Sequence, residues 1–204
     1  MPLVCIVDDD AAARSALSAV VEAAGHHVAA FSSGEALLSA GSSANAACVL
    51  ADMCLRGMNG LNLLCRLKAH GLKVPVILLT GFGGISLAVE AMKCGAFDFI
   101  EKPVGAATML AVVERAIAQS APSPVSDIDL HEVTVRFQGL TPRERDLLHH
   151  LMTGRTNKVI AQELQISPRT VELHRSHLMR KMAASSVPHL VRMAMSAGII
   201  DPQN

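Results

Sequence analysis

The sequence predicts an α/β flavodoxin-like (βα)5 domain followed by a small all-α helix-turn-helix domain, and three observations point there. Four apolar runs, each with the length and β-branched character of a strand buried on both faces, end at polar residues. Leu3-Val-Cys-Ile-Val7 precedes Asp8 and Asp9, Cys48-Val-Leu-Ala51 precedes Asp52, Pro75-Val-Ile-Leu-Leu79 precedes Thr80, and Phe97-Asp-Phe-Ile-Glu101 precedes Lys102. Ser120-Ala-Pro-Ser-Pro-Val-Ser126 lacks a sustained apolar face and interrupts that alternation as a linker would. Charge changes sign across it: residues 1–120 hold eight Lys or Arg against ten Asp or Glu, whereas residues 140–200 hold nine against four.

The elements follow in order. After the first run, Leu17, Val20, Val21 and Ala24 form one helical face, which Gly25 ends. A second strand covers Val28 to Phe31, and a helix lies near Gly34 to Ala40. Helices near Leu61 to His70, near Ile85 to Cys94, and up to Gln119 follow the Asp52, Thr80 and Lys102 strands. Residues 127–138 either extend the linker or form a short helix, and their pattern leaves both open. The domain limits are thus 1–119, a linker of 120–139, and 140–204.

A parallel sheet delivers the C-terminal ends of its strands to one edge, so Asp8, Asp9, Asp52, Thr80 and Lys102 should share a pocket. Two carboxylates about 4 Å apart repel by roughly 4 kcal/mol at an effective dielectric of about 20, so their convergence calls for a cation. Magnesium suits an all-oxygen site that also takes a phosphoryl oxygen. Lys102 supplies further positive charge, Thr80 a hydroxyl donor, and Asp52 the group that accepts a phosphoryl. Helix capping alone would explain Asp10, but it does not explain suitable groups on the matching ends of four strands.

At these residues the chain resembles the receiver domain of two-component response regulators. The matching stretches are Val7-Asp-Asp-Asp10, Asp52, Thr80-Gly81 and Ala88-Val-Glu-Ala-Met-Lys-Cys-Gly-Ala-Phe-Asp-Phe-Ile-Glu-Lys-Pro103. The resemblance implies Mg2+ at Asp8 and Asp9 with Asp52 and the backbone carbonyl of Cys54. It also implies phosphorylation of Asp52 by a sensor histidine kinase, phosphoryl contacts from Thr80 and Lys102, and a switch aromatic at Phe99. The chain departs from the common Met-Pro after the acceptor, with Leu55-Arg56, and carries Phe82 two residues beyond the threonine. Neither Cys54 nor Phe82 orients water well, which predicts slow loss of the phosphoryl group.

Half the residues are hydrophobic, yet no apolar run approaches the roughly 18 residues that span a bilayer, and no basic region precedes the first short run. A soluble cytoplasmic protein without membrane contact is expected. Cys5, Cys48, Cys54, Cys65 and Cys94 lack Cys-x-x-Cys spacing and suggest small core residues in a reducing compartment, with Cys54 a partial exception because it would border the pocket. His174 and His177 share a helical face without further zinc ligands.

The second domain begins at Leu140-Thr-Pro-Arg-Glu, where a Thr141 cap, a first-turn proline and Glu144 form a capping box. That helix runs to about Gly154; a short one covers Asn157 to Leu164, Gln165-Ile166 turn, and Ser167-Pro168 opens a longer helix through Met182. This third helix exposes Arg169, Glu172, Arg175, Ser176 and Lys181 and keeps Val171, Leu178 and Met182 for packing, a face suited to the major groove.

This region resembles the LuxR-type DNA-binding domain, in its NarL/FixJ branch. The resemblance is carried by Leu140-Thr-Pro-Arg-Glu-Arg145, Gly154, Asn157-Lys158, Ile160-Ala161, Ile166-Ser-Pro-Arg-Thr-Val-Glu172, His174, Lys181-Met182 and Ser186-Val-Pro-His-Leu-Val-Arg-Met-Ala194. It implies Glu172, Leu173 and Ser176 near base edges of double-stranded DNA, Lys158, Arg169, Thr170 and Arg175 near phosphates, and a dimerising last helix with Leu190, Val191 and Ala194.

Together these features predict a transcription factor rather than an enzyme, in which phosphorylation promotes homodimerisation near residues 85–104 and promoter binding. RNA polymerase is a further candidate partner. The competing readings are a phosphorylation-independent DNA binder with a degenerate receiver and a magnesium-dependent phosphatase using Asp52 as nucleophile.

Overall fold

A computed structural model describes residues 1–81, 85–120 and 130–199. Contacts divide the chain into two units, one of residues 1–83 and 94–125, the other of residues 84–93 and 126–204. In chain order the first strands and helices are β1 (Leu3–Val7), α1 (Ala11–Ala23), β2 (His27–Phe31), α2 (Gly34–Ala40), β3 (Cys48–Asp52), α3 (Gly60–Ala69), β4 (Val76–Thr80), α4 (Ile85–Lys93), β5 (Asp98–Glu101) and α5 (Ala106–Ser120). The five strands pair in parallel in the order β2-β1-β3-β4-β5.

Burial explains why the inner strands are continuous apolar runs. Every residue of β3 and β4 is buried, as are Val4 to Val7 of β1, because helices cover both faces. On one face Val4, Ile6, Leu50, Ile77 and Leu79 pack with Val21 of α1 and Met109, Val113 and Ala116 of α5. Leu37 of α2 and Leu63, Leu64 and Leu67 of α3 are also buried. The edge strand β2 has no fully buried residue.

The cysteine expectation needs correcting. The five thiols are free, but only Cys5 and Cys48 are buried; Cys54 and Cys65 are exposed and Cys94 is intermediate. Burial pushes the Cys5 thiol up to about 11 and that of Cys48 to about 12, so both stay protonated as small apolar groups.

The second unit contains α6 (Leu130–Gln138), α7 (Pro142–Met152), α8 (Asn157–Glu163), α9 (Pro168–Met182) and α10 (Val187–Ser196). The pattern that left residues 127–138 undecided is helical from Leu130, and Val133 is buried. Arg136 donates to the Met182 carbonyl at 3.0 Å, tying α6 to the end of α9. The core includes Leu147, Leu148 and Leu151 of α7, Ile160 of α8, Val171, Leu178 and Met182 of α9, and Leu190, Val191 and Ala194 of α10.

Thr141 and Glu144 form the reciprocal capping box at the start of α7. Glu144 accepts from the Thr141 backbone at 2.8 Å, from its hydroxyl at 2.9 Å and from Lys181 Nζ at 2.7 Å. Burial disfavours the carboxylate, but Lys181 and the two Thr141 donors outweigh it and hold Glu144 down to about 2. Lys181, expected on the free face of α9, therefore has its ammonium committed to an ion pair.

Candidate functional site

Strand register brings the polar residues to one edge. Val7 pairs with Ala51, so Asp8 follows level with Asp52; Asp52 pairs with Leu79, and Thr80 with Glu101, one residue before Lys102. Asp52 and Thr80 are the last residues of their strands rather than the first beyond them. Asp8, Asp52 and Thr80 are all buried.

Lys102 Nζ lies 2.9 Å from Asp8 Oδ2 and 2.5 Å from Asp52 Oδ1. The second oxygen of each carboxylate accepts a backbone N–H: Asp8 from Asp10 at 2.9 Å, Asp52 from Cys54 at 2.7 Å. Burial works against the charge on Lys102, but hydrogen bonds and attraction from Asp52 and Asp8 win and raise its pKa above the ordinary lysine value. Two carboxyl groups thus converge on one ammonium, with that counter-charge fixed between them.

The surrounding backbone fixes this geometry. Lys102 N–H donates to the Thr80 carbonyl at 2.7 Å, and Met53 N–H to that of Leu79 at 2.6 Å. At the start of α3, a Cβ on Gly60 would come within 2.5 Å of the Asp52 carbonyl oxygen, so the chain after Asp52 can turn this tightly only over a glycine. Asp10 caps α1, accepting from Ala12 at 2.7 Å and Ala13 at 3.0 Å, and these bonds lower its pKa.

Asp9 behaves differently from Asp8. Its Oδ2 pairs with Arg56 Nε at 3.0 Å, a partner that the sequence pattern had marked only as a departure from Met-Pro. Phe99 is buried on β5, donating its N–H to Asp98 Oδ1 at 2.9 Å, while Asp98 Oδ2 takes Arg115 at 2.8 Å. That Asp98–Arg115 bridge from β5 to α5 was also not foreseen; an aspartate within an apolar strand was its one sequence signal. Phe82 lies outside the described residues.

The donor set can be matched to metals. Among the described residues no group of at least three His, Cys, Asp or Glu side chains forms a ready-made metal cage. Hard carboxylate oxygens whose present counter-ion is an ammonium fit a cation that keeps much of its water, as Mg2+ does with one or two carboxylates, and not a caged transition metal.

On the second unit, Ser167 caps α9 through the Thr170 N–H at 3.1 Å, and Gln165, with φ of 55°, makes the turn from α8. Lys158, Arg169, Glu172, Leu173 and Ser176 are exposed, whereas Thr170 and Arg175 are half-buried. Leu173 is 56% exposed, large for a leucine in a helix whose Val171 and Leu178 are fully buried. A polar, basic face with one apolar contact is thereby held on a helix that its other side anchors.

Comparison with known proteins agrees with both halves. Residues 4–114 match the response regulator receiver domain, and residues 138–194 match the luxR family of bacterial regulatory proteins. The chain belongs to the two-component response regulators that join a receiver domain to a LuxR-type helix-turn-helix transcription-regulator domain. It is 41% identical over 196 residues to the transcriptional regulatory protein FixJ of Bradyrhizobium diazoefficiens, covering 96% of each chain. It is 44% identical over 194 residues to FixJ of Azorhizobium caulinodans, covering 95% of this chain and 92% of that one. The crystal structure of full-length FixJ from B. japonicum aligns with a TM-score of 0.57 at 40% identity, covering 98% of both chains. No helix among the described residues is long and apolar enough to cross a membrane.

Proposed function

We propose that Asp52 takes a phosphoryl group from a sensor histidine kinase, and that the phosphorylated chain dimerises and binds paired promoter half-sites on double-stranded DNA. The observation that carries this reading is the convergence of the buried Asp8 and Asp52 carboxylates on Lys102 Nζ. An Asp52 oxygen attacks phosphorus, the phosphorus–nitrogen bond to the kinase histidine breaks, and an acyl phosphate results. Asp8, Asp9, Asp52 and the Cys54 carbonyl would hold Mg2+, which when bound neutralises charge on the transferring group. Lys102 stays charged throughout the physiological range and binds a phosphoryl oxygen; the Thr80 hydroxyl binds another.

An added charge of about −1.5 to −2 is enough to draw Thr80 and Lys102 towards it, and Phe99 follows the vacated space. Dimerisation through residues 85–104 then pairs the output domains. On α9, Glu172, Leu173 and Ser176 meet base edges, while Arg169, Thr170 and Arg175, with Lys158 of α8, meet phosphates. The protein acts as a cytoplasmic regulator, with no catalytic turnover of its own and with RNA polymerase as a further partner at the promoter.

Incubation of the full chain with acetyl phosphate and Mg2+, followed by mass spectrometry, tests the acceptor. One acid-labile phosphoryl group at Asp52, absent from Asp52→Asn, is the expected result. Equal labelling of the variant, or continuous hydrolysis of small phosphate esters, overturns it, the second in favour of a phosphatase.

A further inference from the structure

Leu55-Arg56 is where the chain departs from the Met-Pro pattern, and the structure gives that departure a partner. Arg56 is 92% exposed by side chain, yet its Nε lies 3.0 Å from Oδ2 of Asp9, which is only 23% exposed. Asp8 and Asp52 share Lys102, so the three carboxylates at this edge are served by two separate cations. Nothing buries the guanidinium. It is held over the pocket by charge and by the loop, where Leu55 is buried and Gly57 turns with a φ of 84°.

We infer that Arg56 is a built-in counter-ion of Asp9, which a divalent cation must displace to enter the pocket, so that it sets the pocket's metal affinity. This rests on the phosphoacceptor reading and deepens it. Two effects act in the same direction. An exposed ion pair is worth up to about fivefold in equilibrium constant and is lost when Asp9 turns to a metal. A unit positive charge about 6 Å from a dication also repels it, by about threefold after screening at physiological ionic strength. The guanidinium should therefore weaken Mg2+ binding by roughly threefold to fifteenfold at physiological ionic strength, by more at low salt and by less as salt rises further. Because the side chain is nearly wholly in water, replacing it leaves no cavity, and a change in affinity cannot be charged to lost packing.

Isothermal titration of the full chain with MgCl2 alone, without phosphodonor, reads the effect directly. At physiological ionic strength Arg56→Gln should bind Mg2+ about threefold to fifteenfold more tightly than wild type, with the gap widening at low salt and closing as NaCl is added. Arg56→Lys should stay near wild type, because the charge is kept. In an Asp9→Asn background the gain from Arg56→Gln should shrink to the long-range part, about threefold or less. If wild type binds Mg2+, loses it in Asp52→Asn, and Arg56→Gln binds no more tightly, the counter-ion role is overturned and the acidic pocket stands. If wild type shows no Mg2+ binding that depends on Asp52, the pocket reading and the inference fall together.

Discussion

Removing the ammonium of Lys102 is the sharpest test of how the pocket is held together. In Lys102→Met the buried Asp8 and Asp52 oxygens, both within 2.9 Å of one nitrogen in the wild type, lose their shared partner. Two unit charges about 5 Å apart at an effective dielectric of about 20 repel by about 3 kcal/mol. The Lys102 side chain is 29% exposed, so water and salt ions recover part of that, leaving a loss of about 2 kcal/mol. For a unit of about 115 residues that corresponds to a fall of about 8 °C in the melting of the unit carrying the pocket.

Scanning calorimetry in EDTA measures the fall, and Mg2+ supplies the control. A dication should stabilise Lys102→Met more than wild type, since it replaces the missing charge, and at a hundred times its Kd it recovers about 2.7 kcal/mol. The sign of the pH dependence is also set. The folded pKa of Lys102 is raised, so its contribution is complete below the ordinary lysine value and is lost only as pH rises through the folded one. The deficit should hence be constant from about pH 6 to 9. A variant melting within about 1 °C of wild type in EDTA, or equal Mg2+ stabilisation of both, refutes the role given to the ammonium.

Two further outcomes bear on the second unit. Arg169→Ala should weaken binding on all DNA sequences and flatten the salt dependence by about one counter-ion, whereas Glu172→Ala should change base preference by about 1–3 kcal/mol; equal losses on specific and random DNA for both, read by fluorescence anisotropy with labelled duplexes, would remove that division of labour. The folded pKa of Glu144 is depressed to about 2, so its stabilisation is present above the ordinary value of 4.5 and fades as pH falls from there towards 2. Because Lys181 is 40% exposed, the contribution is discounted to about 1 kcal/mol, and the melting curves of wild type and Glu144→Gln should converge as pH drops through that window.

The pocket was legible because a parallel sheet makes its function periodic. A strand covered on both faces has to be apolar throughout, so the first polar residue at its C-terminal end stands out against the run, and register then brings Asp8, Asp52, Thr80 and Lys102 to one edge. Caps were legible for a related reason: Thr141 with Glu144, and Ser167 with Pro168, are local chemistry that folds the same way wherever it occurs. Pairings between distant residues left weaker marks. Nothing near Lys181 announces that Glu144, from another helix, takes its charge, so a residue assigned to the exposed face of α9 is partly spent inside the unit. Cysteine burial failed similarly, since small size fits a core but does not require one, and Cys65 is exposed and Cys94 only half-buried.

Arg56 shows what lies between those extremes. In the sequence it is a substitution in a loop, with no periodicity, cap or spacing to say what it meets. Its meaning depends on Asp9, which sits after a different strand and comes within 3.0 Å only once β1 and β3 pair in register. The chemistry of a pocket built at strand ends can therefore be inferred from the strands. How readily it would accept a cation would depend on loops, because the sheet, and not the loop, holds Asp52 in place.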